Sequence, residues 1–307
     1  MNQLPSLFLE RLQQIIPADL YPSVIQTFTR DKILSVRLNT LREKRENIRT
    51  LLKERAIEFQ DVEWYKDALV ITTANPLLDD LIQKGFLYRQ NLSSMLVPLV
   101  LNPQPGERVL DLCAAPGSKT TQMAAMMNNE GQIIANEPIK SRFYKLKSVV
   151  SLLGADSVEF KVVDGRKFRD AEFFDKILVD APCSSEGLFQ TSTPETYGYW
   201  SPRKIKEMVQ KQRGLLLNAT RLLKKGGTLV YSTCTFSPEE NEGVVDWVLR
   251  KTKENLKIVP VELQNIKVYS SLVCWQNKTF SDEIQKCARI LPADRMNGFF
   301  IAKIQKD

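Results

Sequence analysis

Two cysteines stand where an open α/β sheet holds a reactive group. The run Thr228-Leu229-Val230-Tyr231, bounded by Gly226-Gly227, reads as a buried strand, and Cys234 follows it by three residues. Ser237-Pro238-Glu239-Glu240 reads as the start of a helix, with an N-cap serine, a first-turn proline and a capping-box glutamate. Cys234 is therefore expected in the turn at the carboxyl end of its strand, where such sheets bind ligands and where a helix N-terminus lowers a thiol's pKa. Cys183, in Asp180-Ala181-Pro182-Cys183, follows another strand in the same way. A lone thiol is more often a small buried hydrophobe than a nucleophile; two in equivalent turns point to covalent chemistry by sulfur.

The rest of the composition narrows that chemistry. The chain has 5 cysteines and no histidine, and no C-x-x-C pair occurs. This argues against a zinc site or a disulfide framework and removes every histidine-based triad, leaving Cys, Asp, Glu, Lys and Tyr to do the work. With 307 residues, 43% hydrophobic and 26% charged, it has the make-up of a soluble globular protein. No membrane span or secretory signal is visible, and the expected location is the cytoplasm. The net charge of +7 suits a polyanionic partner. Much of the excess lies over Arg203, Lys204, Lys206, Lys211, Arg213, Arg221, Lys224 and Lys225 against Glu207, which is either a solvated helix face or a nucleic-acid contact. Cys274 and Cys287 belong to no motif and are assigned to surface or packing. Trp200, Trp247 and Trp275 are expected as core anchors, with Trp64 left open.

These side chains need a scaffold, and the pattern supplies one. Residues 1 to 30 carry apolar spacing for two short helices around Pro17. A strand at Ile33–Leu38, a charged helix over Leu41–Arg55, and strands at Val62–Tyr65 and Ala68–Thr73 make a small α+β module over residues 1–75, joined through Thr72-Thr73-Ala74-Asn75-Pro76 to a second domain over 76–307. Arg37, Arg42, Lys44, Arg45 and Arg49 of the module are candidate phosphate contacts. From Gly106 strands and helices alternate, the mark of a mostly parallel sheet: strands at Arg108–Leu112, Gln132–Glu137, Val158–Asp164, Lys176–Asp180 and Thr228–Ser232, then Leu256–Val261 and an antiparallel edge at Gly298–Ile304.

Four of those strands end in or beside an acid: Asp111, Glu137, Asp164 and Asp180. The turn after the first, Cys113-Ala114-Ala115-Pro116-Gly117-Ser118-Lys119, is built of small residues that let backbone approach a ligand. A P-loop would need glycine where Ser118 and Cys113 stand, and a dinucleotide site needs three glycines where only Gly117 occurs, so a pyrophosphate ligand is disfavoured. An acid ending the second strand is the usual hook for ribose hydroxyls. Glu137 thus implies a nucleoside cofactor without pyrophosphate, which S-adenosyl-L-methionine satisfies, with Asp164-Gly165 near its adenine.

The set Asp111-Leu112-Cys113-Ala114-Ala115-Pro116-Gly117-Ser118-Lys119-Thr120, Asp180-Ala181-Pro182-Cys183, Tyr231-Ser232-Thr233-Cys234-Thr235 and Pro238-Glu239-Glu240-Asn241-Glu242 resembles the RNA 5-methylcytosine methyltransferases of the Nop/Sun family, in order from about Gln90 to Phe300. The resemblance implies a class I (Rossmann-like) S-adenosylmethionine-dependent methyltransferase fold. It further implies cofactor contacts at Cys113, Ala114, Ala115, Pro116, Gly117, Ser118, Lys119, Glu137, Arg142, Asp164, Gly165 and Asp180, and no metal. Cys234 would be the nucleophile that adds to cytosine C6, Cys183 the thiol that helps release product, and Asp180 a group bonding the base edge near N3, protonated in a dry site. With no histidine to activate it, Cys234 is expected to rely on the helix beginning at Ser237 and on nearby cations.

The target base must leave its stack, so the expected partner is locally single-stranded or opened RNA, its backbone held by basic residues around Lys140–Lys147 and Arg203–Lys225. Gly117–Gln122, Met127–Gly131 and Ser93–Leu96 are similar to the bacterial small-subunit rRNA branch. That branch carries further C-terminal RNA-binding modules, whereas this chain stops at Asp307, and Phe189–Glu195 departs from its basic loop, so tRNA stays open as the substrate. Two readings of other kinds compete: a DNA cytosine-5 methyltransferase, in which the Pro-Cys cysteine is itself the nucleophile, and a non-catalytic RNA-binding assembly factor.

Overall fold

A computed structural model describes residues 3–30, 33–73, 75–170, 173–293 and 295–307. Met1 and Asn2, and Ala74 in the expected join, lie outside the described residues. Helices α1 (Ser6–Ile15) and α2 (Tyr21–Thr27) fall either side of Pro17, as the apolar spacing predicts. They pack on the larger domain rather than the small module: Phe8 of α1 sits 4.9 Å from Phe189 between ring centroids and belongs to the same core as the central sheet.

Strands β1 (Leu34–Leu38), β2 (Phe59–Asp61), β3 (Ala68–Ile71) and β4 (Leu87–Arg89), with helices α3 (Arg45–Glu54) and α4 (Leu77–Gln83), form an antiparallel sheet in the order β2-β3-β1-β4. Val62–Tyr65, expected as a strand, is a turn closed by Tyr65 N–H donating to Val62 O at 3.0 Å. Its apolar side chains pack on Leu92 and Met95 instead, and Phe59–Asp61 takes the sheet position. The arginines expected to meet phosphate are largely committed inside the protein. Arg37 is fully buried, with Nε donating to Gln90 Oε1 at 2.9 Å and Nη2 to Thr121 Oγ1 at 2.8 Å. Arg42 donates to the carbonyls of Ser151 and Leu152, while Arg45 and Arg49 pair with Asp67 and Asp61.

Helix α5 (Leu92–Leu101), capped by Asn91 accepting from Ser93 N–H, leads into the large sheet. Strands β5 (Arg108–Asp111), β6 (Gln132–Asn136), β7 (Val158–Lys161), β8 (Phe174–Asp180) and β9 (Leu223–Thr233) run parallel in the order β7-β6-β5-β8-β9, with helices α6 (Ser118–Met126), α7 (Lys140–Leu153) and α8 (Pro202–Leu222) between them. The order in which strands are added reverses between β5 and β8, which opens a crevice at their carboxyl ends.

Helix α9 (Glu242–Lys251) follows β9, and β10 (Leu256–Val259), β11 (Tyr269–Ser270), the hairpin β12 (Cys274–Trp275) and β13 (Lys278–Thr279), β14 (Ala288–Ile290) and β15 (Phe299–Lys306) complete the chain. β15 is antiparallel as expected, but it is not an edge: β9 covers one side and β10 and β14 share the other. Its burial over Phe299–Ala302 is what an interior strand requires. Among the described residues no helix is long and apolar enough to cross a membrane, and no cluster of His, Cys, Asp or Glu is placed to hold a metal ion.

Candidate active site

A cavity of about 440 Å³ opens at the carboxyl ends of β5, β6 and β8, in the size range of small-ligand pockets. Of the residues singled out from sequence, Cys113, Ala115, Glu137, Arg142, Asp164, Gly165, Asp180, Cys183 and Cys234 line it. Ala114, Pro116, Gly117, Ser118 and Lys119 do not; they form the turn behind its wall. Gly117 is needed there because its φ is +108° and a Cβ would come within 3.2 Å of Leu146 and Val149 on α7. Glu137 accepts from Ile139 N–H at 2.9 Å and pairs with Arg142 at 3.1 Å, and Arg142 also donates to Ala115 O at 2.9 Å. The acid ending the second strand is thereby aimed and held. Asp164 accepts from Arg166 N–H at 3.0 Å and pairs with its guanidinium.

Asp111 lies under this floor. Its Oδ2 accepts from Thr120 Oγ1 at 2.7 Å while Oδ1 has no partner, and burial pushes the carboxyl up to about 7. Asp180 is different: Lys119 Nζ donates to one oxygen at 2.6 Å and Ser232 Oγ to the other at 2.8 Å. Both oxygens are engaged as acceptors.

The two thiols meet. Cys183 Sγ and Cys234 Sγ are 3.3 Å apart, and Ser185 Oγ lies 3.7 Å from the Cys234 sulfur. The hydrogen bond from Cys183 holds the Cys234 thiol below its ordinary pKa, against the opposing effect of burial, and the same bond with burial raises Cys183 well above it. Of the two sulfurs, Cys234 is the one shifted toward the thiolate and Cys183 the one shifted away from it. The expected source of activation is corrected in part: α9 begins at Glu242, so no helix N-terminus starts at Ser237, and the neighbouring thiol is the largest cause, while the expected nearby cation is present as Lys119. In Cys183→Ser the midpoint of Cys234 alkylation against pH should change with the altered donor, and in Cys183→Ala it should move upward; an unmoved midpoint in Cys183→Ala would show that the second thiol plays no part in ionisation.

What sets the sulfur separation is a reciprocal pair of buried carboxyls. Glu186, from the Cys183 loop, accepts from Thr235 Oγ1 at 2.8 Å and Phe236 N–H at 3.0 Å in the Cys234 loop, and from Trp200 Nε1 at 2.8 Å. Glu240, from beyond Cys234, accepts from Ser184 N–H at 2.9 Å, from Ser184 Oγ, and from Gln212 Nε2 at 2.8 Å. Gly187 N–H donates to Cys234 O at 2.9 Å, a contact so close that a Cβ on Gly187 would stand 2.4 Å from Gly298 O. Glu240, read from sequence as the capping-box glutamate, is a tertiary fastener that binds Ser184, and its neighbours act alike: Glu239 binds Arg11 and Glu242 binds Arg289.

Burial pushes Glu240 up from 4.5 to about 8. A carboxyl that binds its proton more tightly when folded contributes stability that is full below its unfolded pKa and is lost as pH rises through the folded one. Asp111, up from 3.8 to about 7, acts in the same sense at lower pH. Thermal midpoints should therefore fall as pH rises from about 4.5 to about 8, and Glu240→Gln should flatten the part of that fall between about 7 and 8. An unchanged slope would show that Glu240 is ionised throughout.

Ser185, Arg166, Lys211 and Leu215 also line the cavity and were not singled out as site residues; of these only Lys211, in the basic run on α8, carried a signal in the sequence. Cys274 is exposed and Cys287 buried, outside the site, and Trp275 is buried as expected.

The sheet order, the crevice at its switch point and the acid-lined cavity are those of a class I S-adenosylmethionine-dependent methyltransferase. A crystal structure of a methyltransferase homologue from Pyrococcus horikoshii superposes with a TM-score of 0.80 at 29% identity, covering 99% of this chain and 100% of that one. Residues 98–305 match the family model 16S rRNA methyltransferase RsmB/F, and residues 4–77 match the RsmF/B-like ferredoxin-like domain. The chain belongs to this family of RNA 5-methylcytosine methyltransferases. A tRNA (cytosine(49)-C(5))-methyltransferase of Pyrococcus abyssi is 40% identical over 277 residues, 89% of this chain and 88% of that protein. Ribosomal RNA small subunit methyltransferase F of Klebsiella pneumoniae is 38% identical over 316 residues, which is 98% of this chain but only 63% of the length of that relative.

Proposed function

We propose that this protein transfers a methyl group from S-adenosyl-L-methionine to C5 of a cytosine in RNA, through a transient bond between Cys234 and C6 of the base. The observation that carries the reading is the pair of sulfurs 3.3 Å apart at one end of a nucleoside-sized cavity, only one of them favoured as thiolate. The cavity fits the cofactor: Glu137 is held to meet ribose hydroxyls, Leu112, Pro138 and Ile139 supply apolar wall, and Asp164-Gly165 closes the far side. When bound, S-adenosylmethionine supplies an electrophilic methyl group on a sulfonium.

The protein's own residues do the rest. Cytosine C5 is a poor nucleophile until the Cys234 thiolate adds to C6 and pushes electron density onto C5. Asp180, already accepting from Lys119 and Ser232, is set to accept from the exocyclic amino group of the base and so orient the ring. Once C5 is methylated its proton must leave to a base; the C6–S bond then breaks and the electron pair returns to Cys234. Cys183, adjacent to that sulfur, is placed to take part in this release step.

The motif likeness favours small-subunit rRNA as the substrate, and basic residues of α7 and α8 flank the cavity. The P. abyssi relative, similar over nearly its whole length, favours tRNA as a second reading. The proposal keeps two modules, an N-terminal one drawn at residues 1–75 and a catalytic one at 76–307, but moves the boundary past Arg89, because β4 completes the small sheet. Cytoplasmic location is retained as part of the proposal. Bisulfite sequencing of rRNA and tRNA from cells with and without the protein tests it: a single cytosine losing protection on deletion supports the reading, and no change in either RNA rejects it.

A further inference from the structure

The face of α8 turned away from the thiols borders a second cleft, of about 850 Å³, walled by α1 and the β12–β13 hairpin. Its cations are Arg11, Arg203, Lys206, Arg213 and Lys278, against the carboxylates Glu207 and Glu239. Both carboxylates are already engaged, Glu239 by Arg11 at 2.7 Å and Glu207 by Lys204 and Lys211 at 3.2 and 2.7 Å. Lys278 is paired with Asp246 at 3.1 Å. Among the described residues, no carboxylate is within ion-pair reach of Arg203, Lys206 or Arg213.

Arg213 is the informative member. It is half-buried, its guanidinium stands 5.1 Å from the centre of the Trp247 ring, and its Nε is closed off from solvent with no hydrogen-bond partner. A partly desolvated cation without a counter-charge is destabilising, and a solvated helix face has no need of one. The Arg213 cation stands against the Trp247 ring with no anionic partner. Arg203 and Lys206, exposed at its mouth, lie one helical turn apart on the same stripe.

We propose that this cleft binds phosphodiester groups of the RNA that flank the target cytosine, a proposal that rests on the reading of the chain as an RNA methyltransferase. Guanidinium groups are suited to this, since their planar fork matches phosphate oxygens two at a time. Lys211, which lines the thiol cavity, lies on the same helix as Arg203, about 12 Å along its axis. A strand leaving the cavity along α8 meets the cleft within a few nucleotides, and the cleft fixes the direction in which the RNA runs.

The test uses the full chain with Arg203→Glu/Lys206→Glu, both at exposed positions, and separately Arg213→Met, with bulk tRNA and a small-subunit rRNA transcript as probes. The double variant should bind the substrate RNA about tenfold more weakly near physiological salt, and the slope of log affinity against log salt should be shallower by about 1.4, the loss of two phosphate contacts to single-stranded RNA. KM for RNA should rise with kcat and S-adenosylmethionine affinity unchanged, and Arg203→Lys should retain most of the binding. Unchanged affinity and salt slope, with Cys234 still captured covalently by 5-azacytosine RNA, would overturn the cleft and leave the methyl-transfer reading standing. A fall in kcat or in cofactor affinity at constant KM would also overturn it, assigning α8 to support of the thiol cavity. Absence of any covalent capture by the unaltered protein would instead sink the functional reading on which the proposal rests.

Discussion

Cys234→Ala will lower methyl transfer by at least about ten-thousand-fold, the scale on which loss of a covalent nucleophile is felt. Without the sulfur, nothing raises the electron density at C5, and the base in the cavity is inert to the methyl donor. The same variant should give no covalent complex with 5-azacytosine-containing RNA. Cys183→Ala should still form the complex and, with ordinary cytosine RNA, should accumulate a covalent adduct that the unaltered protein releases. It should also form the complex more slowly near neutral pH and recover speed as pH rises, because the hydrogen bond with Cys183 is the largest of the influences that lower the Cys234 pKa. Gel-shift of the trapped complex against pH distinguishes these outcomes. Capture that survives Cys234→Ala but is lost in Cys183→Ala would reverse the roles and favour the DNA-type arrangement, in which the Pro-Cys sulfur attacks.

Arg289→Ala is expected to be the most destabilising of the single substitutions considered for this fold. Its guanidinium forms a two-pronged pair with Glu242, both bonds 2.7 Å, and a third bond to Phe236 O at 3.0 Å, with the two side chains 5% and 0% exposed. Removing one partner leaves the other charge buried and alone, a loss of about 3–5 kcal/mol. For a domain of this size that lowers the thermal midpoint by on the order of 10 °C. Glu242 also accepts from Leu272 N–H at 3.0 Å, so the damage extends to the segment leading into the β12–β13 hairpin. Calorimetry of Arg289→Ala beside the apolar double variant Arg289→Met/Glu242→Leu checks the cause. The double variant should recover much of the loss, since replacing both charges removes the desolvation cost along with the attraction. Equal destabilisation in both would assign the effect to packing volume rather than to an orphaned charge.

The acids after Cys234 show where sequence reasoning stops. Ser237-Pro238-Glu239-Glu240 has the pattern of a capped helix start, and a cap contributes about 1 kcal/mol. The chain forgoes it, with α9 starting at Glu242, because three carboxylates of this stretch reach distant donors. The hydrogen bonds to charged partners, Glu239 with Arg11 and Glu242 with Arg289, are each favourable by about 1.5–3 kcal/mol, and burying these acids without partners would cost more. The same competition explains Arg37 and Arg42. They look like surface cations in a charged stretch, yet one is buried between the small sheet and α6 and the other meets the end of α7.

Residue type and spacing alone determined that strands and helices alternate from Gly106, that acids end the strands, that two sulfurs follow β8 and β9, and which family the motifs belong to. The first three follow from periodicity and local turn chemistry, which act over a few residues; the family is what the resemblance of the motifs implies. Only the tertiary structure decided that the sulfurs touch, that Cys183, Ser185 and Lys119 rather than a helix beginning at Ser237 surround the Cys234 thiol, that Asp180 accepts from Lys119 and Ser232, and that α1 and α2 join the catalytic core. These depend on partners tens to hundreds of residues away, brought together by sheet order and core packing, and no local pattern carries that information.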